Sequence, residues 1–191
     1  APAVFPRRPA LRHPLTPSSQ FPASEPAPFT RARFEQAPGE VLSRGRWANA
    51  VLYLHRHEGG RWVVKDFRPR SFAVRNTIGR LLIRREMRAL RRLAGVAGVP
   101  AGAFRVDAHA LAYRFIPGVP LNHADLGARA ADFFTRLERL LSEVHAVGGI
   151  LHLDVRNGRN VLVSERGEPV LLDFQSHIGT GRMPARLRRL A

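Results

Sequence analysis

The basic residues of this chain are almost all of one type, and the exception lies in an apolar run. Lysine and arginine together number 31 in the 191-residue sequence, and the only lysine among them is Lys65, which follows Val63 and Val64. Arginine serves wherever a generic positive charge suffices, so the lysine marks a position where a compact ammonium fits and a wide guanidinium does not. An ordinary surface lysine is the alternative interpretation.

Glu86 is the only carboxylate between Phe67 and Val106, a region that contains many arginines. It lies on a predicted helix, where a pair with Arg85 would contribute only a few tenths of a kcal/mol, roughly. The other interpretation is an ion pair with Lys65, which would hold the ammonium toward a phosphate.

A third group of polar residues is framed by apolar runs near the C-terminal end. His152, Asp154 and Asn160 precede the apolar residues 161–163, and Asp173 follows the next apolar run. Such side chains are costly to bury unless they are partnered or bound to a metal. Asparagine and aspartate oxygens suit Mg²⁺, and a separate aspartate can accept a proton from a hydroxyl.

The composition excludes several classes of protein. There is no cysteine, so a disulfide framework, a cysteine-based zinc site and thiol catalysis are all excluded. No window approaches the roughly 20 apolar residues of a membrane span, and no signal peptide is recognisable, so we expect a cytoplasmic protein. The net charge of +16 predicts attraction to phosphate, nucleic acid or an anionic membrane. Nucleic-acid binding is the least expected of these, because no stacking platform or reading motif accompanies the charge.

The elements that must position these residues begin after a proline-rich segment. Residues 1–40 contain nine of the fifteen prolines, which predicts an extended arm without a helix or a central strand. Residues 50–55 and 61–67 predict a hairpin that carries Lys65 on its second strand. A helix is predicted over residues 77–93, where the apolar residues at helical spacings are Ile78, Leu81, Leu82, Met87, Leu90 and Leu93.

The remaining elements are shorter strands around one further helix. Residues 104–106 and 110–115 predict strands, residues 150–160 a loop, and residues 161–164 and 169–173 another pair of strands. A helix is predicted over residues 129–147, ending at two glycines, and its apolar side carries Phe133, Phe134, Leu137, Leu140, Leu141 and Val144.

In this order, Lys65, Glu86, the His-x-Asp motif at 152–154, Asn160 and Asp173 resemble the protein-kinase-like superfamily. The resemblance covers residues 41–175 and implies an α+β, bilobal protein-kinase-like fold. Residues 1–40 would form the proline-rich arm, residues 41–118 a β-rich N-lobe with one helix, and residues 119–191 a reduced helical C-lobe with the catalytic loop.

The resemblance also implies a role for each of these residues. Lys65 would contact the phosphates of ATP with Glu86 as its helix partner, Asp154 would be the catalytic base, and Asn160 and Asp173 would bind Mg²⁺. Three further positions would hold the nucleotide: Gly45 in the phosphate loop, and Tyr113 and Phe115 in the hinge at residues 113–118, where adenine would dock.

The chain departs from the family pattern at four places. Gly45 is the only glycine of residues 42–51, where the family has three. Asp154 and Asn160 are one position further apart than in the family, so either the loop carries an inserted residue or Asn157 shares the metal role. Gln175 replaces the glycine of Asp-Phe-Gly and would stiffen that turn. Few residues follow Asp173, and they include only the start of a helix near Pro184, which is why a reduced C-lobe is expected.

These features are similar to those of compact atypical kinases, namely the RIO-type group and the bacterial lipopolysaccharide core sugar kinases. The resemblance implies an ATP- and Mg²⁺-dependent kinase that phosphorylates a hydroxyl of protein serine or threonine, or of a core sugar. A pseudokinase that binds nucleotide or a partner without turnover is the alternative. The arginine clusters at 84–85, 91–92 and 186–189 are either solvated faces or sites for an anionic substrate or the inner membrane surface.

Overall fold

A computed structural model describes residues 27–179 of the chain. The helix predicted near Pro184, the arginines at 186–189 and most of the proline-rich segment lie outside the described residues. Within this range no helix is long and apolar enough to cross a membrane.

A five-stranded antiparallel sheet forms the first half of the described chain. Its strands are β1 (Glu40–Ser43), β2 (Val51–His57), β3 (Gly60–Asp66), β4 (Phe104–Arg105) and β5 (Ala110–Arg114), in the spatial order β1-β2-β3-β5-β4. The predicted hairpin is confirmed as β2 and β3, whose register places Leu52 opposite Lys65. The turn between them bends at Glu58 and Gly59, both of which have positive φ. Lys65 therefore lies on a central strand.

One helical segment packs against the sheet after β3. It consists of a short helix α2 (Phe72–Val74), a π-helical turn (Arg75–Gly79) and α3 (Arg80–Arg92), which confirms the predicted helix. The segment approaches the sheet closely at Gly79, where a Cβ atom would lie 2.8 Å from the Phe67 ring. Only glycine permits this contact.

The expected apolar stripe of this helix was wrong at Ile78 and Leu81. These side chains are 39% and 57% exposed, whereas the buried residues of α3 are Ile83, Glu86, Met87, Ala89 and Leu90. Leu81 precedes Ile83 by two residues, which is about 200° around a helix, so the two side chains point to opposite sides. Ile78 lies in the π-helical turn, outside the regular spacing of α3.

The second half of the described chain surrounds helix α4 (Ala130–Gly148), as predicted, and Gly149 ends this helix in the left-handed conformation. Strands β6 (Gly118–Pro120), β8 (Val161–Ser164) and β9 (Pro169–Leu171) form one small sheet, and β7 (Ile150–His152) and β10 (His177–Gly179) form another. Phe134 was expected on the apolar side of α4 but is 48% exposed.

A single hydrophobic core joins these two halves. It includes Phe67 of the connection after β3, Ile83 of α3, Val144 of α4 and Phe174 after β9, all fully buried. Because α3 and α4 share this core, the strand that carries Lys65 and the segment that carries Asp173 are fixed relative to one another.

The expectation that residues 1–40 contain no helix is wrong at residues 31–36, which form α1 (Arg31–Gln36). The Thr30 side chain caps its first turn, and Pro28 and Pro38 flank a stretch free of proline. Phe29 and Phe34 are buried against Trp62 and Val64, on the face of the sheet opposite α3. The apolar side chains explain this packing, because together they remove a large aromatic area from water.

Candidate active site

The ammonium of Lys65 lies between two carboxylates from distant parts of the chain. Its Nζ is 2.6 Å and 2.9 Å from the two carboxylate oxygens of Glu86 and 3.0 Å from Oδ1 of Asp173. Strand β3 positions the lysine, the inner face of α3 positions Glu86, and the turn after β9 positions Asp173. The structure thus brings together three residues that the sequence singled out.

Burial differs sharply among these three side chains. Lys65 and Glu86 are 5% and 1% exposed, whereas Asp173 is 40% exposed. Burial lowers the pKa of Lys65, but the charges of Glu86 and Asp173 outweigh it and raise that pKa above its ordinary value. Burial raises the pKa of Asp173, but the Lys65 charge and hydrogen bond outweigh it and lower that pKa. Lys65 and Asp173 are therefore both charged at neutral pH.

The Lys65 ammonium that contacts Glu86 also contacts a second carboxylate, that of Asp173. Burial raises the pKa of the Glu86 carboxyl, and the charge of Asp173 raises it further, against the opposite effect of Lys65. Of the two carboxyl groups that contact Lys65, that of Asp173 is the more exposed, so an added cation would approach the cluster at Asp173.

A second cluster is formed by the loop between β7 and β8. The amide nitrogen of Asn160 donates to the Asp154 carboxylate at 2.8 Å and to the Asp154 backbone oxygen at 3.0 Å. Asn160 is 7% exposed, and within residues 27–179 its amide oxygen accepts no hydrogen bond. Asn160 therefore fixes Asp154 and keeps one oxygen atom available as a ligand.

Asn157, the alternative metal ligand, has a different environment. It is exposed, and its side-chain oxygen accepts a hydrogen bond from the backbone nitrogen of Arg159 at 3.2 Å. This is a local turn contact of a kind that asparagine commonly makes. Asn157 therefore makes a contact within its own turn, whereas Asn160 contacts Asp154.

His152 connects the two clusters. One ring nitrogen, Nε2, lies 2.8 Å from the Leu172 backbone oxygen, immediately before Asp173, and the backbone nitrogen of Asp154 donates to the other, Nδ1, at 3.3 Å. Since Nδ1 accepts a hydrogen bond, the ring proton lies on Nε2 and is donated to Leu172. His152 thereby holds the two aspartate-bearing segments together.

The residue after Asp173 and Phe174 makes a contact that sequence reasoning missed. Gln175 had been expected only to stiffen the turn, but its side-chain nitrogen also donates to Glu86 at 3.1 Å. Phe174 is fully buried, and Asp173 adopts a left-handed φ of +58°. A glycine at this position could not make this hydrogen bond. The available signal in the sequence was a polar residue beside a predicted buried ion pair.

The three residues expected to hold the rest of the nucleotide lie in or next to the five-stranded sheet. Gly45 is in the β1–β2 turn with φ +60°, where a Cβ would lie 2.6 Å from the Ala50 backbone oxygen. Tyr113 lies on β5 opposite Val63, on the same face of the sheet as Lys65, and is 4% exposed. Burial raises the pKa of the Tyr113 hydroxyl, so it remains a neutral hydrogen-bonding group.

Phe115 follows β5 in the short connection to β6. Its backbone nitrogen donates to the Arg61 backbone oxygen at 2.9 Å, and the Arg61 guanidinium lies 4.8 Å from the ring centroid. The backbone of this connection is therefore held by the start of the central strand β3.

The oxygen donors fit a magnesium ion that is bound together with phosphates. Within residues 27–179 no cluster of three or more His, Asp or Glu side chains could hold a metal by itself. Asp173 and Asn160 supply two oxygen-bearing side chains of the hard type that Mg²⁺ prefers. Magnesium in phosphate-transfer sites is commonly held by one or two such ligands plus substrate phosphates, and this donor set matches that pattern.

Sequence reasoning also missed a charged cluster on the opposite face of the sheet. Arg31 of α1 donates to both carboxylate oxygens of Asp66, at 2.7 and 3.0 Å, and to Asp107 at 2.9 Å. Asp66 directly follows Lys65 and is 3% exposed. The signal was a lone aspartate at the end of a buried strand, which required a cation from elsewhere in the chain.

Comparison with known proteins gave matches among solved structures alone. No protein-family model matches the chain, and no curated protein matches it. The crystal structure of the Rio2 kinase-ADP/Mg²⁺-phosphoaspartate complex from Chaetomium thermophilum is similar, with a TM-score of 0.59 and 18% sequence identity over 78% of this chain and 51% of that one. A second Rio2 kinase structure from the same organism has a TM-score of 0.60 and 18% identity, and covers 78% and 53%.

The chain thus spans about half the length of these Rio2 kinases. The likeness shows a protein-kinase-like fold with mixed helix and sheet, in agreement with the resemblance drawn from the sequence. At 18% sequence identity this likeness shows the fold alone. The reaction has to be inferred from the residues of the site.

Proposed function

We propose that this chain is an ATP-dependent phosphotransferase of bilobal, kinase-like architecture, which moves the γ-phosphoryl group of ATP to a hydroxyl. The observation that carries the proposal is the contact of Lys65 with both Glu86 and Asp173, together with the Asn160–Asp154 pair. A compact ammonium, a metal-binding oxygen set and a separately held carboxylate are the parts that phosphoryl transfer needs.

The exposure of the three charged side chains suggests how the nucleotide is held. Glu86 is covered and keeps Lys65 in place, whereas Asp173 is open to solvent and its bond to Lys65 can be exchanged. The ammonium of Lys65 would then donate to a phosphate oxygen in place of Asp173. Asp173 and Asn160 would hold Mg²⁺, which when bound neutralises negative charge on the phosphates.

The chemical step assigns one role to Asp154. The acceptor oxygen forms a bond to the γ-phosphorus while the bond from that phosphorus to the β–γ bridging oxygen breaks, so that ADP leaves. The acceptor hydroxyl proton passes to the Asp154 carboxylate, which Asn160 orients by one hydrogen bond to Oδ2 and a second to the Asp154 backbone oxygen. Catalysis consists mainly of positioning and charge neutralisation, because the loose transition state needs no covalent help from the protein.

For the acceptor, we propose protein serine or threonine first and a core sugar of lipopolysaccharide second. Both offer an alcohol that Asp154 could deprotonate as it attacks. The chain should be incubated with labelled ATP, Mg²⁺ and each acceptor in parallel. Label in one acceptor identifies the class.

The reaction itself is tested with Asp173→Ala. We expect a loss of transfer and of ATP hydrolysis on the order of 100-fold or more, because a charge-stabilising group is removed, with the melting temperature nearly unchanged. Asp125→Ala is the matched control, since Asp125 is exposed and bonds only to the Gly127 backbone nitrogen in the described chain. Equal activity of Asp173→Ala and the unmodified chain would overturn the proposal.

A pseudokinase is the second candidate, and two observations favour it. Gln175 occupies a hydrogen-bonding position on Glu86, and the β1–β2 turn has one glycine in place of a flexible phosphate loop. A thermal-shift titration with ATP and Mg²⁺ distinguishes nucleotide binders from non-binders. A phosphate-release assay then separates the enzyme from the pseudoenzyme.

A further inference from the structure

The outer face of α3 is strongly basic, and its arginines meet no counter-charge in the part of the chain that the structure describes. The helix carries six arginines among thirteen residues, and its one carboxylate, Glu86, is buried on the opposite face. Arg84, Arg88 and Arg91 are exposed and follow one another at spacings of four and three, which places them in one row. Within residues 27–179 none of the six forms a salt bridge. An anion from outside the chain would therefore meet no competing carboxylate along this row.

Apolar side chains continue this row toward the start of the helical segment. Leu81 lies one turn before Arg84 and is 57% exposed, and Phe72 at the beginning of α2 is 73% exposed. Ile78 between them is 39% exposed. The surface therefore has an apolar end, formed by these three large side chains, and a basic end, formed by the row of arginines. The apolar end is poorly solvated by water, and the basic end can bind an anion.

A second exposed aromatic residue lies in the turn that Arg70 connects to the start of the helical segment. Trp47, at the tip of the β1–β2 turn, is 72% exposed. Arg70 ties that turn to the start of the helical segment, because its Nε donates to the Asn49 backbone oxygen at 2.7 Å and another guanidinium nitrogen donates to the Arg44 backbone oxygen. This connection joins the turn that carries Trp47 to the residues just before Phe72.

We propose that this surface binds an anionic phospholipid bilayer. The apolar residues Phe72, Ile78, Leu81 and Trp47 would enter the headgroup region, and Arg84, Arg88 and Arg91 would contact lipid phosphates. Membrane-surface helices combine these two features, and a basic residue near an anionic leaflet contributes additional attraction. The proposal uses the outer face of the helical segment and the exposed Trp47, so it does not depend on phosphotransfer at the inner face of α3.

Nucleic acid is the other polyanion that a row of arginines would fit. The row alone does not distinguish the two, because both partners present phosphates. The aliphatic side chains of Ile78 and Leu81 favour the bilayer: a single-stranded nucleic acid rewards aromatic stacking, whereas lipid rewards removal of any apolar area from water. Exposed aliphatic residues beside the arginines therefore decide between them.

The test is cosedimentation of the full chain, without nucleotide, with vesicles of phosphatidylcholine containing phosphatidylglycerol and with vesicles of phosphatidylcholine alone. We expect binding to the anionic vesicles only, weakened by salt. Replacing Arg84, Arg88 and Arg91 by Gln should weaken binding on the order of 100-fold, from about 1 kcal/mol per basic residue. The matched control replaces Arg56, Arg139 and Arg166, which are exposed elsewhere on the chain.

Apolar insertion has its own readout. The sequence has two tryptophans, and Trp62 is buried at 3% exposure, so a change of emission on vesicle addition reports on Trp47. A blue shift of Trp47 emission supports insertion, and Leu81→Ser with Phe72→Ser should reduce binding without changing the net charge. Thermal melts of all variants verify that each is folded.

Several results would overturn the proposal. Equal loss of binding in the α3 variant and in the control variant would show an unspecific charge effect. Equal binding to neutral and anionic vesicles, or no vesicle binding at all, would show that this surface does not recognise an anionic bilayer. Binding of a single-stranded RNA that the α3 variant loses, with no vesicle binding, would assign the surface to nucleic acid instead.

Discussion

The ammonium of Lys65 and the carboxylate of Asp173 meet at 3.0 Å although 108 positions separate them in the chain. Strand β3 and the turn after β9 are brought together by the core that α3 and α4 share. This contact differs from the neighbouring Lys65–Glu86 pair in its exposure: Asp173 is accessible from solvent, and Glu86 is not. The contact is therefore one that a ligand can replace without opening the core.

Removing the lysine should unbalance the buried cluster. Lys65→Met leaves the Glu86 and Asp173 carboxylates close together without a cation, and breaking a buried pair in this way costs about 3–5 kcal/mol of unfolding free energy. The loss should be smaller in acid, because a carboxyl group that takes up a proton relieves the repulsion. Urea denaturation at neutral and acidic pH measures both effects.

The control for that variant removes the second charge as well. Lys65→Met combined with Glu86→Gln should regain much of the lost stability, while nucleotide binding should remain absent. If the double variant is no more stable than the single one, the buried charge is not the cause of the loss.

Arg31 should contribute to stability although it lies far from the candidate active site. Among residues 27–179, Arg31→Ala leaves Asp66, which is 3% exposed, with only the Arg68 backbone nitrogen at 2.9 Å as a partner. We expect a loss of about 2–3 kcal/mol of unfolding free energy, measured by urea denaturation. Arg33→Ala on the exposed side of the same helix should change stability by less than about 0.5 kcal/mol. Similar values for the two variants would contradict the importance of the Asp66 contact.

Mild acid should weaken the packing of the N-terminal segment. His55 is 2% exposed, its Nδ1 donates to the Ala37 backbone oxygen at 2.8 Å, and its other nitrogen is buried without a partner in the described chain. Burial lowers the pKa of His55, so the folded state favours the neutral ring. This contribution to stability is present above the ordinary histidine pKa and is lost as pH falls below it toward the depressed value.

The measurement is the urea midpoint across a pH series for the unmodified chain and for His55→Phe. Burial also lowers the pKa values of His109 and His177, so the unmodified chain should lose stability in acid by all three groups. His55→Phe should flatten part of that slope, and His123→Gln, at an exposed position, should not. An unchanged slope in His55→Phe would refute the role of this ring.

Gly79→Ala should destabilise the protein even though alanine favours helices. The added Cβ would lie 2.8 Å from the buried Phe67 ring, and overpacking of this kind costs about 1–3 kcal/mol. Relief of this close contact would displace the helix that carries Glu86. We therefore expect the ATP affinity to fall together with the stability. Thr77→Ala, at an exposed position two residues earlier, is the control. A stabilised Gly79→Ala variant would show that the ring moves aside freely.

The sequence allowed the strand of Lys65, the helix of Glu86 and the segments of Asp154, Asn160 and Asp173 to be predicted, because apolar periodicity and turn residues define each locally. The roles of these residues stay predictions until activity is measured. Residue types that are rare in their surroundings, such as a single lysine and a single glutamate, were the strongest signals.

Other features depended on contacts that no local pattern encodes. The helix at Arg31–Gln36 was missed because the surrounding prolines outweighed a short proline-free stretch capped by Thr30. The exposure of Leu81 was missed because six apolar residues at helical spacings cover more of a helix than one packing face can bury. The Gln175–Glu86 hydrogen bond joins residues 89 positions apart and follows from the tertiary structure alone.

A sequence with one lysine carries a built-in chemical reporter. Amine-acylating reagents can modify only two primary amines in these 191 residues, the terminal amine and Nζ of Lys65. Because the Lys65 side chain is 5% exposed and its ammonium is held by two carboxylates, acylation at this position requires the cluster to open. The rate at which mass spectrometry detects that second label therefore measures how often the candidate active site opens, with no variant and no attached probe.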